Sequence, residues 1–252
     1  MIAAQRRRII VETIERDGAV SISALTELLD ASAVTIRRDL DQLADEGRLH
    51  RTHGGAVIAS SARESSYAEK LEQALAEKTA IAIAAAAHVR PGDVVALGPG
   101  TTTELLAKEL VGRTGLRVVT NSLLVAEAMV GSPDNEVIVV GGALRHPIRA
   151  LVGGSTVTQL QGLRVDTAFL SGNGLAADFG LSTPAVPVAD TDRAMASRAE
   201  RVVALVDHTK IGVRSSVLTV PTDEIGTVVT DGKSDAGEIE ALRTAGVDVE
   251  VA

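Results

Sequence analysis

Arg37 and Arg38 closely follow Thr35 in the segment Ser32-Ala33-Val34-Thr35-Ile36-Arg37-Arg38-Asp39-Leu40. Ile36, Leu40 and Leu43 recur at i, i+4 and i+7, the spacing of one buried helical stripe, which leaves Thr35, Arg37 and Arg38 on the other faces of the first two turns. Arginines so placed can pair bidentately with guanine in a major groove, and a threonine beside them can reach a base edge or a phosphate. Ser32 stands where the N-cap of that helix belongs. The next segment, Arg48-Leu49-His50-Arg51-Thr52-His53-Gly54-Gly55-Ala56, is short, basic and glycine-ended, as a small β-hairpin would be. Arg48 and Arg51 would hold backbone phosphates or the minor groove there, and His53 a phosphate or the hairpin end. An ordinary solvated charged face has the same pattern. Residues 1–56 hold eight arginines, no lysine and nine acids, a net charge of −1 and not a basic domain, although Asp39, Asp41, Asp45 and Glu46 fall late in the helix while the arginines cluster at its start and in the hairpin.

A second group is Gly98-Pro99-Gly100-Thr101-Thr102-Thr103, which follows an apolar run and opens a helical one. Glycine lets the backbone approach an anion, and the helix then presents amide groups, threonine hydroxyls and its positive end. A tight turn with Thr101 as a helix cap fits the same residues. The segment is neither a P-loop, which needs Gly-Lys-Ser/Thr, nor a dinucleotide fingerprint, whose third glycine is missing. Asn121 and Ser122 end the next Val-rich run and Gly141 and Gly142 the one after, so three runs deliver small polar groups to one rim. Arg145 could add charge there, ahead of Arg149. Asn173 could bond sugar hydroxyls or shape a turn, and Lys210, just after Asp207, could meet an anionic ligand or a carboxylate.

The elements that position these residues are read from periodicity. Residues 1 to about 56 give helix, helix, helix and hairpin, with Asp17-Gly18 stopping the first helix and Ser21 capping the second. Residues 59–66 are small and polar, and a linker is expected over 59–76 between a domain at 1–58 and one at 77–252. In the second domain, Lys78–Val89 reads as a helix. Strands are expected at 94–97, 116–120, 136–140, 165–170, 202–206, 217–220, 227–230 and 247–251, with helices in most gaps, the rhythm of a mostly parallel α/β sheet.

Composition sets the limits. The chain has 252 residues, 45% of them hydrophobic, enough for a sizeable core, and a net charge of −8 that argues against general basic coating. It has no Cys, which removes disulfides, thiolate nucleophiles and zinc ribbons, and its five histidines form no recognisable ligand set, so neither metal nor cofactor is expected. Tyr67, Phe169 and Phe179 are the only aromatics, too few for stacking single-stranded bases, whereas duplex binding stays open. No Gly-x-Ser-x-Gly elbow is present. The amino terminus lacks the apolar core of a secretory signal and no run reaches the length of a membrane helix, so a cytoplasmic location is expected.

Segments 32–40 and 47–56 together resemble the winged helix-turn-helix signature of the DeoR family of bacterial transcriptional regulators. Pro99-Gly100-Thr101-Thr102-Thr103, Thr120-Asn121-Ser122, Gly141-Gly142, Asp166-Thr167-Ala168-Phe169-Leu170 and Asp207-His208-Thr209-Lys210 recur in the order of that family's sensor domain. The resemblance implies a sensor with the fold of ribose-5-phosphate isomerase and CoA-transferase-like proteins, binding a phosphorylated sugar or related metabolite. The chain departs from the family in two places. Gly98-Pro99 stands where many members carry an acid, and Asp190 and Arg193 stand where Glu and Lys are common. The expected function is a DNA-binding regulator, a repressor of a carbohydrate-metabolism operon released by a sugar phosphate. At least a dimer is expected, because one small winged domain buries too little DNA for useful operator affinity. The alternative is a sugar-phosphate isomerase-like enzyme with a degenerate N-terminal domain, for which Asp166 and Asp207 are the rim carboxylates available.

Overall fold

A computed structural model describes residues 3–17, 19–46, 48–52, 54–58 and 67–252. The chain divides into two compact units, Met1–Ser65 and Ser66–Ala252.

The first unit runs α1 (Ala3–Asp17), β1 (Ala19–Ser21), α2 (Ile22–Leu29), α3 (Ala33–Asp45), β2 (Leu49–Thr52) and β3 (Gly55–Ile58). Ser21 caps α2 by accepting from the Ala24 amide, and Ser32 caps α3 by accepting from the Thr35 amide. Ile10 and Ile14 of α1, Leu25 and Leu29 of α2, and Ile36, Leu40 and Leu43 of α3 close one core with Leu49 and Ala56. Burying each large aliphatic side chain contributes about 1.5–3 kcal/mol, so this small unit depends on nearly all of them. β1 was not legible in the sequence. It joins the hairpin as a third antiparallel strand in the order β1-β3-β2, and a Cβ on Gly55 would lie 2.0 Å from the Val20 carbonyl oxygen, so only glycine permits that approach.

The second unit begins with α4 (Tyr67–Glu72) and α5 (Leu75–Ala86), so part of the stretch read as linker is helical, and α5 starts three residues earlier than its Ala-rich pattern indicates. There follow β4 (Val94–Leu97), α6 (Thr101–Leu110), β5 (Arg117–Thr120), α7 (Leu123–Met129), β6 (Glu136–Val139), β7 (Ala143–Arg145), β8 (Ala150–Val152), α8 (Gly154–Gln161) and β9 (Val165–Leu170). Then come β10 (Gly174–Ala176), β11 (Gly180–Thr183), α9 (Val186–Ala196), β12 (Ala199–Leu205), β13 (Val217–Val220), β14 (Thr227–Thr230), α10 (Ala236–Thr244) and β15 (Asp248–Val251).

Seven strands form one parallel sheet in the order β15-β14-β12-β9-β4-β5-β6. Its two faces follow the period of two along each strand. Val95, Leu97, Phe169, Val203 and Leu205 pack with α5, α6 and α7 on one side, while Ala96, Ala168, Leu170, Val202 and Ala204 pack with α8, α9 and α10 on the other. β7–β8 and β10-β11-β13 are small antiparallel additions. β7, β8, β10 and β11 were not legible in the sequence, because these segments hold Gly, Ala and Leu in place of the runs of β-branched residues that mark the other strands. The β4-β5-β6 run goes one way across the sheet and β9 returns to the far side of β4, so the direction of winding reverses between β4 and β9. Ligands of open parallel sheets bind at the carboxyl ends of the strands at such a reversal. No helix among the described residues is long and apolar enough to cross a membrane.

Candidate functional site

In the first unit the outward face of α3 is set by which of its charges are already matched. Asp39 is buried, not solvated with the other late acids, and its Oδ2 accepts from Arg6 Nε of α1 at 2.5 Å, with Arg7 Nε 3.9 Å from Oδ1. The pairing pushes the Arg6 guanidinium further up from its ordinary value through the hydrogen bond to Asp39. Glu46 lies 3.6 Å from Arg7, and Asp41 Oδ1 lies 3.1 Å from Arg51 Nε. Three of the four acids that dilute the charge of this segment are therefore neutralised within the unit. Arg37, Arg38 and Arg48 are exposed and make no ion pair among the described residues. Thr35 is half-buried, its hydroxyl 3.0 Å from the Ser32 hydroxyl, so Ser32 acts first as a cap. Arg51 braces the hairpin against α3 and is less available to phosphate than its position in the sequence implies. His53 lies outside the described residues.

In the second unit the Gly98–Thr103 loop follows β4 at the reversal point. The Gly98 amide donates to the Phe169 carbonyl of β9 at 3.0 Å, which holds the two strand ends together. Gly100 is the N-cap of α6, a place the sequence reading gave to Thr101, and a Cβ there would lie 3.2 Å from Cβ of Ser171. Thr101, Thr102 and Thr103 are all buried. The Thr103 hydroxyl donates to the Gly100 carbonyl at 3.0 Å, whereas the Thr102 hydroxyl oxygen has no partner. A buried hydroxyl without a partner at a helix N-terminus is a group awaiting an acceptor.

β12 delivers the charge. Asp207 is fully buried, its Oδ1 accepting from the Thr209 amide at 3.1 Å and from the Thr209 hydroxyl, and its Oδ2 lies 3.6 Å from Lys210 Nζ and 3.9 Å from Lys78 Nζ. Two ammonium groups share one carboxylate, a local excess of one positive charge. Lys78 was not singled out from sequence. It is 1% exposed, its Nζ donates to the Lys70 and Gln73 carbonyls, and burial, with Lys210 nearby, pushes its pKa down to about 8. A signal was there: Lys78, Ile81, Ala82, Ala85, Ala86 and Val89 share one helical stripe, and a lysine on a buried stripe is a lysine with a task.

Other residues expected on the rim are bound into the fold. The Asn121 amide donates to the Leu151 carbonyl at 2.9 Å, leaving its buried Oδ1 without a partner, and Ser122 caps α7. The Gly141 carbonyl accepts from the Thr156 hydroxyl at 2.7 Å, and a Cβ on Gly142 would lie 2.1 Å from that same hydroxyl oxygen, so the glycine pair seats α8. Arg145 is half-buried in β7. Arg149 stacks on the Tyr67 ring with 4.9 Å to its centroid, and the Tyr67 hydroxyl donates to Glu104 at 2.6 Å, its pKa pushed up to about 12 by burial and that bond. The Asn173 side chain accepts from the Thr183 hydroxyl at 3.3 Å and shapes the turn into β10. Asp166 is not on the rim. It is the second residue of β9 and accepts from the Val94 amide at 2.7 Å, at the amino ends of the strands. A hollow of about 450 Å³ between α8 and α9, lined by Gly153, Gly154, Pro187, Asp190 and Arg193, holds no such charge excess, since Arg193 pairs with Asp190 at 2.7 Å and donates to the Leu218 carbonyl.

Comparison with known proteins bears on both units. Residues 6–62 match the model of the DeoR-like helix-turn-helix domain, and residues 73–232 match that of the DeoR C terminal sensor domain. The chain is 38% identical over 250 residues to the HTH-type transcriptional regulator GlpR of Haloferax volcanii, covering 99% of this chain and 98% of that one. It is 30% identical over 251 residues to the glycerol-3-phosphate regulon repressor of Escherichia coli K12, covering all of both. Among solved structures it is similar to ribose 5-phosphate isomerase A of Methanocaldococcus jannaschii, with 19% identity, a TM-score of 0.42 and 55% of each chain covered.

Proposed function

The chain belongs to the DeoR family of transcriptional regulators, and from that premise we propose that it represses a carbohydrate-metabolism operon and is released from its operator by a phosphorylated sugar or polyol. The observation that carries the DNA half is the internal pairing of Asp39, Asp41 and Glu46, which leaves Arg37, Arg38 and Arg48 as an unneutralised exposed set on α3 and beside the hairpin. Arg37, Arg38 and Thr35 read the groove, Arg48 holds a phosphate, and Arg51 fixes the hairpin for it.

The effector half is supported by the unpartnered Thr102 hydroxyl at the start of α6 and by the two ammonium groups around Asp207. The amides from Gly100 to Thr103 and the Thr102 hydroxyl receive the phosphate, with Lys78 and Lys210 supplying charge-assisted bonds. Release follows by linkage: a hundredfold loss of operator affinity needs the effector to favour the free state by about 2.7 kcal/mol, within reach of two or three such bonds. The protein works as a homo-oligomer joined through its sensor units, in the cytoplasm where operator DNA lies, and without catalytic turnover. The isomerase alternative takes Asp166 or Asp207 as its proton-transferring carboxylate. Asp166 sits at the wrong strand ends for it, and Asp207 is held between two lysines.

The test is a titration of the purified chain against the DNA upstream of its own gene at two salt concentrations, repeated with sugar phosphates added. Specific, salt-sensitive binding relieved by one phosphate is the expected result. Absence of specific binding at every salt concentration, with turnover of a sugar phosphate, would overturn it.

A further inference from the structure

The loop after β4 has a second polar group without a hydrogen-bond partner beside it. Asp192, in the middle of α9, is 2% exposed, and its Oδ1 makes no hydrogen bond. α9 brings that oxygen to the loop after β4, where it lies 3.7 Å from the position a Cβ would take on Gly98. Because Gly98 has no side chain, nothing from its own position covers the acid. Arg193, the charged neighbour acting on Asp192, is turned to Asp190 and the Leu218 carbonyl. Burial accordingly holds the Asp192 carboxyl well above the usual carboxylate range, a shift that favours its neutral form.

A neutral carboxylic acid offers one O–H donor and open acceptor positions, and unlike a carboxylate it does not repel a phosphate bound close by. As a packing element it is a poor choice, because a buried polar atom without a partner costs stability that an apolar side chain of similar size would not. The same loop carries, four residues on, the unpartnered Thr102 hydroxyl at the N-terminus of the ten-residue helix α6. Two buried unpartnered polar groups thus flank one glycine-lined loop at the reversal point of the sheet, one suited to a phosphate and the other to a hydroxyl.

We propose that Asp192 bonds a hydroxyl group of the effector and is the residue by which the site at this loop prefers a phosphate monoester of a sugar or polyol to phosphate alone. This inference rests on the effector reading above and adds to it a specificity-determining residue. The acid reaches the loop from α9, on the far side of the sheet face from α6, so a bound molecule would be gripped from both layers at once.

Calorimetry on the full chain tests it with inorganic phosphate, glycerol 3-phosphate, glucose 6-phosphate and fructose 1-phosphate as probes. The quantity read is the affinity ratio of the best organic phosphate to inorganic phosphate, measured within each variant. Asp192→Val should lower that ratio about tenfold or more, and Asp192→Asn, which keeps a donor and an acceptor, should retain most of it. A general loosening of the fold would weaken both probes together and leave the ratio alone. Should Asp192→Val not fold, Gly98→Ala serves instead: its Cβ would lie 3.7 Å from Oδ1 and lower the ratio too, with the end of the Leu170 side chain, 3.0 Å away, giving way to it. An unchanged ratio in a folded variant, or a wild-type ratio near one, overturns the inference alone. Wild-type protein that binds none of the four probes overturns the effector reading and this inference with it.

Discussion

Arg6 Nε and Asp39 Oδ2 lie 2.5 Å apart across the packing of α1 on α3, and this pair decides which charges of α3 face outward. Asp39 is the neighbour of Arg38 in the chain and would cancel it on an open surface. Its burial against Arg6, with Arg7 close by, turns an acidic-looking helix into one whose exposed first turns are positive.

Arg38→Ala and Arg37→Ala should each weaken operator binding by roughly 1–3 kcal/mol, about fivefold to 150-fold, with little change in thermal stability because both side chains are exposed. Fluorescence anisotropy on operator DNA and a parallel melting curve measure the two effects separately. Effector affinity should stay at the wild-type level. Parallel loss of DNA and effector binding would mean that the two units do not work as separate modules.

Asp39→Asn should act without touching DNA. It strips Arg6, whose side chain is 14% exposed, of its carboxylate, at a cost of about 1–2 kcal/mol once residual solvent access is allowed for. Melting of residues 1–65 should come earlier, and operator affinity should fall through misplacement of α3. A variant that melts like wild type would show that the pair contributes nothing to stability.

How far the sequence foretold this structure depends on the range of the interaction. The α3 stripe of Ile36, Leu40 and Leu43, the Ser32 cap and the strand from 165 to 170 were legible because each is a local pattern. The parallel sheet was legible because it repeats one local pattern many times. The Arg6–Asp39 pair and the approach of Lys78 to Asp207 join residues 33 and 129 positions apart, and nothing local announces such a meeting. Asp166, expected among the rim carboxylates, is the second residue of β9 and lies at the opposite end of the sheet. Gly141, Gly142 and Ser122 look like ligand-facing groups in sequence because small residues at strand ends serve both tight packing and ligand approach, and only the neighbours distinguish the two.

Lys78 gives a pH dependence with a definite sign. Its folded pKa, about 8, lies below its ordinary value of 10.5, so between those values the unfolded chain holds more protons, and stability rises with pH across that window. Lys78→Met should abolish that rise. An anion bound beside Lys78 favours its charged form, so affinity for a sugar phosphate should fall as pH passes about 8, and in Lys78→Met it should be weaker at pH 7 and nearly flat to pH 9. Calorimetry at pH 7, 8 and 9 reads both slopes, and a wild-type affinity that does not change over this range would remove Lys78 from the anion site.

Thr102 and Thr103 are adjacent, equally buried and opposite in consequence. The Thr103 hydroxyl is bonded to the Gly100 carbonyl, so Thr103→Val should cost about 1 kcal/mol, a fall of roughly 2–4 °C in Tm for a unit of this size. The Thr102 hydroxyl oxygen has no protein partner, so Thr102→Val keeps the shape and removes a buried polar group, which should leave Tm unchanged or raise it by a degree or two. In phosphate binding the order reverses: Thr102→Val should weaken affinity about tenfold, and Thr103→Val much less. A stability loss in Thr102→Val with unchanged phosphate affinity would mean that this hydroxyl has a partner inside the fold and that the anion site lies elsewhere. The opposite changes in Tm and affinity at Thr102 are those expected where a protein gives up stability to hold a ligand group open.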